Sequence, residues 1–268
     1  MNITVYLGSR CGNRSCYAEY AYALGSWIAR HGHTLVYGGS RTGLMGKLAD
    51  GALQVGGQVI GVEPQFFMDE ELQHEGLTKL IVTPDMTSRK QQMMDLGDIF
   101  LAFPGGIGTL EEISQVMSQV KLHQMEGRFA FLDFDGYYQP MKALIQQMSD
   151  EGFVDEDWAD AVPFLPSFAA LTAFVLGRDL PRPGETWRHF KNHMYRILDL
   201  ADDAETGETY VVYKTLYGEY RDFIRPLDMF LSEVDHDKYP DVRQKWRFEK
   251  PAGLCSWNPA ISSQYLKK

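Results

Sequence analysis

The sequence predicts an α/β protein, with a doubly wound parallel sheet followed by a small β-rich domain. Three observations carry this. Strand-like apolar runs alternate with helically spaced segments from residue 3 to about 175, and glycine-bearing turns directly follow three of the strands. At Arg178–Glu185 the pattern then breaks and changes to short β-type runs.

Taken in order, Ile3–Leu7 reads as a strand ending in Gly8-Ser9. Cys16–Arg30 follows with Tyr17, Ala21, Leu24 and Ile28 at helical spacing. The unit repeats as the strand Thr34–Tyr37 running into Gly38-Gly39, and then a helix over Leu44–Val55 closed by Gly56-Gly57. Next come strand Gln58–Val62, strand Lys79–Val82, a polar helix over Ser88–Leu96 and strand Asp98–Phe103. A helix over Thr109–His123 and strand Phe129–Leu132 complete the series. Continuous apolar strands alternating with helices are buried on both faces, which is the signature of a parallel sheet. Ligands of such sheets bind outside the carboxyl ends of the strands, where strand order reverses. The segments Gly8-Ser9, Gly38-Gly39-Ser40 and 104–109 are therefore predicted to converge on one edge.

Two prolines and a glycine make 179–185 a linker, because they block both helix and ladder. The predicted domains are 1–178, the α/β domain, and 186–250, a small β domain. In the latter, Met194–Leu198, Tyr210–Tyr213 and Phe223-Ile224 are strands, and Glu205–Glu208 is a turn. Residues 251–268 read as an irregular tail.

The net charge is −10 in 268 residues; residues 1–180 hold 12 basic and 22 acidic groups, whereas 181–268 hold 14 of each. An acidic body argues against nucleic acid as a partner, since that binding rests on neutralising phosphates. A small anion focused in one cleft stays open. The start enters a strand with no basic segment or cleavage-type site, and the longest near-apolar stretch, Phe164–Gly177, is interrupted by Pro166, Ser167 and Thr172. The expectation is a cytoplasmic protein without a membrane segment. Cys11, Cys16 and Cys255 read as free thiols, and no spacing suggests a metal site or a cofactor.

Pro104-Gly105-Gly106-Ile107-Gly108-Thr109-Leu110-Glu111-Glu112 follows a buried strand and opens an amphipathic helix. Three glycines in four positions let backbone N–H groups approach an anion at a helix N-terminus. Spacing alone leaves two readings, a phosphate nest over Gly105, Gly106, Ile107, Gly108 and Thr109, or a tightly packed turn. Glu112 adjoins the face that carries Ile113, Val116 and Val120, a costly place for a carboxylate without a task. Its alternative is an acid that stabilises the helix dipole, which Glu111 satisfies equally.

The P-G-G-x-G-T-x-x-E motif at 104–112, with Arg89-Lys90 before it, resembles the LOG family of cytokinin riboside 5′-monophosphate phosphoribohydrolases and related bacterial nucleotide hydrolases. Tyr37-Gly38-Gly39 with Gly43-Leu44-Met45-Gly46, Val59–Val62, Gln119 with His123, and Gly136-Tyr137-Tyr138 leading to Gly152-Phe153 agree. The resemblance covers residues 3 to about 175. It implies a Rossmann-like fold, a homodimer, and cleavage of the N-glycosidic bond of a nucleoside 5′-monophosphate to free base and ribose 5-phosphate. The substrate would be AMP or a cytokinin riboside monophosphate. The family's essential arginine and glutamate carry over to Arg89 and Glu112. Many members bear the older label of lysine decarboxylase, but no pyridoxal-phosphate lysine motif is readable here.

The residue types suit that chemistry. A carboxylate near C1′ stabilises an oxocarbenium-like transition state and activates water, the role given to Glu112. The planar fork of Arg89 suits phosphate or ribose oxygens. Gly8, Ser9, Gly38, Gly39 and Lys90 are further substrate-binding candidates. Two positions depart from the family pattern: Ser40 stands where a third glycine is usual, and Met117 where a tryptophan is. Arg41 and Arg10–Arg14 read as solvated arginines ahead of nucleotide contacts, and His123 as a packed or helix-ending residue ahead of a catalyst.

The C-terminal segment, with Trp187–Lys191, Tyr213–Gly218 and Arg225–Phe230, resembles a small bacterial domain of unknown function. Its 14 aromatics in residues 181–268 read first as core and second as a stacking platform for single strands. Beside the hydrolase stands the alternative of a non-catalytic nucleotide sensor signalling through this module.

Overall fold

The computed structural model describes residues 1–68, 72–204 and 206–251, and it divides into two compact units, Met1–Pro166 and Ser167–Lys268. The first unit runs β1 (Asn2–Tyr6), α1 (Cys16–Arg30), β2 (Thr34–Tyr37), α2 (Gly43–Gln54), β3 (Gln58–Pro64), α3 (Gln65–Met68), β4 (Lys79–Thr83) and α4 (Met86–Leu96). It continues through β5 (Ile99–Ala102), α5 (Ile107–Lys121), β6 (Arg128–Leu132), α6 (Gln139–Asp150), α7 (Glu156–Ala161) and β7 (Phe164–Leu165). Its strands form one parallel seven-stranded sheet in the order β4-β3-β2-β1-β5-β6-β7, the doubly wound sheet the alternation predicts. Ile3 of β1 lies between Leu35 of β2 and Ile99 of β5, so β1 is central and strand order reverses between β1 and β5. Beyond that point Phe103 N–H donates to the Tyr6 carbonyl (2.9 Å) and Gly8 N–H to the Pro104 carbonyl (3.2 Å).

The central strands are apolar on both faces because helices cover both: Ile99–Ala102 is buried at every position. One side of the core is built from Val36, Val62, Met93, Phe100, Ile113, Val116 and Phe131. Elsewhere α1 and α2 meet backbone to backbone. A Cβ built on Gly25 would lie 1.9 Å from the Leu48 carbonyl oxygen, and one on Gly51 would lie 2.0 Å from that of Tyr22. Helix α5 begins two residues before the predicted Thr109, so the last part of the glycine motif is its first turn. His123 lies exposed past its end at φ 54°, so of the two expectations it is helix-ending and not packed.

The second unit comprises α8 (Phe168–Leu176), β8 (Thr186–His189), β9 (Met194–Asp202), β10 (Thr209–Thr215), β11 (Asp222–Pro226), α9 (Leu227–Leu231) and β12 (Phe248–Glu249). Its antiparallel sheet has the order β11-β10-β9-β8-β12. The division at Pro166 falls ahead of the linker that composition places at 179–185. Helix α8, capped by Ser167 accepting from Ala170 N–H (3.2 Å), sets Ala169 and Ala173 into the core of the second unit. In β10, Thr209, Val211, Tyr213 and Thr215 alternate inward, and Trp187, Tyr195, Tyr213, Phe230 and Phe248 fill the centre as edge-to-face and stacked rings. These aromatics are core, which leaves Tyr217, Tyr220 and Phe223 at the surface. Residue 205 of the predicted turn, and the tail beyond 251 with Cys255, lie outside the described residues.

The α1–α2 crossing yields a stability test. Gly25→Ala has no side chain to push aside, only backbone, and is expected to cost about 1–3 kcal/mol or more. Urea unfolding should show a lowered midpoint; an unchanged midpoint would mean that the helices separate freely.

Candidate active site

The carboxyl ends of β1, β2, β3 and β5 bring the predicted residues to one edge. Arg89 reaches it from α4, a helix whose start is fixed by Asp85, which accepts from Ser88 N–H (2.7 Å). Arg89 stands four residues before Met93 and five before Met94, on the buried face of an otherwise polar helix, and is itself only 8% exposed. Its Nε donates to the Val62 carbonyl of β3 (3.0 Å), and its Nη1 donates to Glu112 Oε1 (2.9 Å). Glu112 projects from α5 three residues after buried Thr109, so the pair joins two helices across the end of the sheet. Burial pushes the Glu112 carboxyl above the ordinary range, and Arg89 pulls it back toward ionisation. Buried Tyr6, at the end of β1, feels both charges, and its phenol is held strongly protonated by burial first and by Glu112 second.

The glycines divide by task. A Cβ built on Gly38 would fall 2.3 Å from Arg89 Nη2, and one on Gly39, where φ is +87°, would lie 3.3 Å from Glu63 Oε2. These two make room for side chains beneath them. Gly105 is likewise crowded, with a built Cβ 2.1 Å from Thr109 Oγ1 and 2.9 Å from Gly8 N. Gly106 and Gly108 have nothing within 4 Å of a built Cβ and no positive φ. Packing therefore explains Gly105 but not Gly106 or Gly108, whose bare backbone fronts open space at the start of α5. Ile107, 82% exposed, turns its side chain outward. Tyr137 Oη donates to the Gly105 carbonyl (2.5 Å) and braces the loop from outside.

Other candidates fall around this centre. Gly8 is buried against Gly105, and Ser9 is exposed. Lys90 turns to Glu111 (2.5 Å) rather than to Glu112, because consecutive helical residues point about 100° apart. Ser40 Oγ lies 2.9 Å from Thr42 Oγ1 and accepts from Thr42 N–H (3.2 Å), a local turn at the entry to α2. Met117 packs on the core. Arg41 is exposed, 3.9 Å from Glu75, and Arg14 pairs with Asp135 at 2.8 Å. The sequence reading missed Glu63, a buried carboxyl at the end of β3. A charged residue in the run Val59–Val62-Glu63-Pro64 was the available signal.

A family model described as "Possible lysine decarboxylase" matches residues 45–173, and one described as "Protein of unknown function (DUF1653)" matches 185–250. The chain is 42% identical over 154 residues to a cytokinin riboside 5′-monophosphate phosphoribohydrolase of Rhodococcoides fascians, covering 57% of this chain and 78% of that one. It is 36% identical over 152 residues to the protein of that name, LOG5, of Arabidopsis thaliana, covering 57% and 67%. Among solved structures, the molybdenum cofactor binding protein of Rippkaea orientalis superposes with a TM-score of 0.51 at 22% identity, over 66% of this chain and 95% of that one, a likeness of fold.

Arg89 is a cation facing buried carboxyls, so Arg89→Met is expected to cost about 3–5 kcal/mol at neutral pH. The loss should shrink as pH falls through the raised values of the buried carboxyls and be least below the ordinary carboxylate range, where they are protonated folded or unfolded. Urea unfolding at several pH values measures it; a pH-independent loss would contradict the charge argument.

Proposed function

We propose, from the premise that this chain belongs to the family of cytokinin riboside 5′-monophosphate phosphoribohydrolases, that its first unit hydrolyses the N-glycosidic bond of a nucleoside 5′-monophosphate. The observation that carries the reading is the buried Arg89–Glu112 pair one helical turn from the open backbone of Gly106 and Gly108. The naming of the relatives as hydrolases favours catalysis over a silent sensor.

In this reading the N–H groups of Gly106–Thr109 and the Thr109 hydroxyl hold the 5′-phosphate at the positive end of α5. That contact fixes the ribose over Glu112, so binding energy remote from the bond is spent on orientation. Water oxygen bonds to C1′ as the C1′–N bond breaks and its electron pair leaves with the base. The Glu112 carboxylate offsets the positive charge developing at C1′ and accepts the water proton. Arg89 keeps Glu112 ionised, aims it, and presents its remaining N–H groups to ribose or phosphate oxygens. AMP and cytokinin riboside monophosphates are the substrates proposed. A homodimer belongs to the same reading, with the start of α5 leaving Ile107 and Leu110 exposed; sedimentation should show twice the chain mass, and a monomer would remove this part.

Chromatographic detection of free base from a panel of nucleoside 5′-monophosphates tests the reaction. Glu112→Gln should lower kcat about 10²–10⁴-fold with the protein still folded. Undiminished turnover would refute the assignment of Glu112, and tight nucleotide binding without product would favour the sensor.

A further inference from the structure

Glu63 is 1% exposed, and both of its carboxyl oxygens are shielded from solvent without a hydrogen-bond partner among the described residues. A buried acceptor left unpaired is costly, and an unpaired carboxylate more so. The groups around it come from several elements. Arg89 of α4 acts on it with opposite charge, and it acts in turn on Tyr37 of β2, as Asp50 of α2 does; consecutive Gly38 and Gly39 lie against Arg89 Nη2 and the Glu63 carboxyl. Gly39 lies directly over the carboxyl. The segment at 72–74 pairs with 39–41, with Arg41 N–H donating to Leu72 O (2.8 Å) and His74 N–H to Gly39 O (2.9 Å). It brings in Gln73, whose Oε1 is also buried and unpaired.

We propose that Glu63 is a positioning residue of the active site, acting through Arg89 by setting how fully the guanidinium is committed to Glu112. One cation faces two carboxyls. Glu112 is bonded to it at 2.9 Å, while Glu63 has only its field, although the Val62 carbonyl that holds Arg89 Nε belongs to the preceding residue. Burial raises the Glu63 carboxyl above its ordinary range, with Arg89 opposing. A protonated Glu63 leaves the positive charge to Glu112; an ionised Glu63 competes for it. As pH rises through the raised value, Arg89 is drawn from Glu112 and kcat falls. KM moves less than kcat, because most of the phosphate contact comes from the backbone at 106–109 and Arg89 adds to it. The catalytic consequence rests on the hydrolase reading above, whereas the protonation of Glu63 does not.

The experiment compares wild type and Glu63→Gln as full chains, measuring kcat and KM for base release and thermal unfolding from acid to alkaline pH. Glutamine has the same shape and cannot ionise. The ratio of its kcat to that of wild type should rise up to about tenfold per pH unit along the alkaline limb, with a smaller change in KM. A carboxyl with a raised folded pKa loses stability as pH rises through it, so the variant should melt above wild type on the alkaline side and with it in acid. Glu63→Asp should keep the alkaline limb, and it replaces the glutamine arm if that variant fails to fold. A kcat ratio constant with pH would make Glu63 merely structural and overturn the proposal, as would superimposable melting profiles. If wild type releases no base from any nucleotide, the hydrolase reading fails by itself, and the melting profiles still decide whether Glu63 carries the proton.

Discussion

Arg89 is placed where a guanidinium can survive burial only if several groups receive it. It lies at the carboxyl end of the sheet beside the reversal of strand order, with a strand carbonyl on one nitrogen and a carboxylate on another. Those two bonds come from β3 and α5, so the side chain ties together elements on both sides of central β1. The surrounding structure has to leave it space. Gly38 supplies that space, since any side chain there would overlap Nη2. The cost of desolvating the charge is offset only with all of these contacts in place, which makes the site a joint constraint on four segments distant in sequence.

The same constraint explains why the glycines at the sheet edge are not interchangeable. Gly38 and Gly39 yield to side chains beneath them, and Gly105 yields to Thr109 and the turn after β1. Gly106 and Gly108 yield to nothing among the described residues. A loop that packs at one end and leaves its backbone bare at the other carries both kinds, and the first turn of α5 begins where the two meet. Tyr137 then holds the packed end from the far side, so the open end is supported by a rigid one.

In the second unit aromatic residues do structural work. A sheet of five strands, two of them short, cannot bury much aliphatic surface, and stacked rings such as Phe230 on Phe248 supply the missing core at 4.0 Å between centroids. Trp187 is almost wholly buried, and its Nε1 finds Glu185 at 3.0 Å, which satisfies the one polar atom of the ring. Helix α8 joins this core because Ala169 and Ala173 fit against the rings. Its apolar composition hides that allegiance from a reading based on linkers.

The strands β1 to β6 and β9 to β11, the helices α1, α2, α4 and α5, and the glycine motif at 104–112 were legible in the sequence, because the periods 2 and 3.6 and the three glycines are local properties of the chain; the short strands β7, β8 and β12 were not. The motif also singled out Arg89 and Glu112. Local pattern could not show that these two meet at 2.9 Å, that Lys90 turns to Glu111, or which glycines face protein and which face space. Those outcomes depend on strand order and helix rotation, which bring residues more than twenty positions apart into contact. Glu63 is the clearest case. In the sequence it is one acid beside a proline in an apolar run; only the fold, which lays Gly39 over it, makes it a buried carboxyl without a hydrogen-bond partner among the described residues, because burial is set by what the rest of the chain places there.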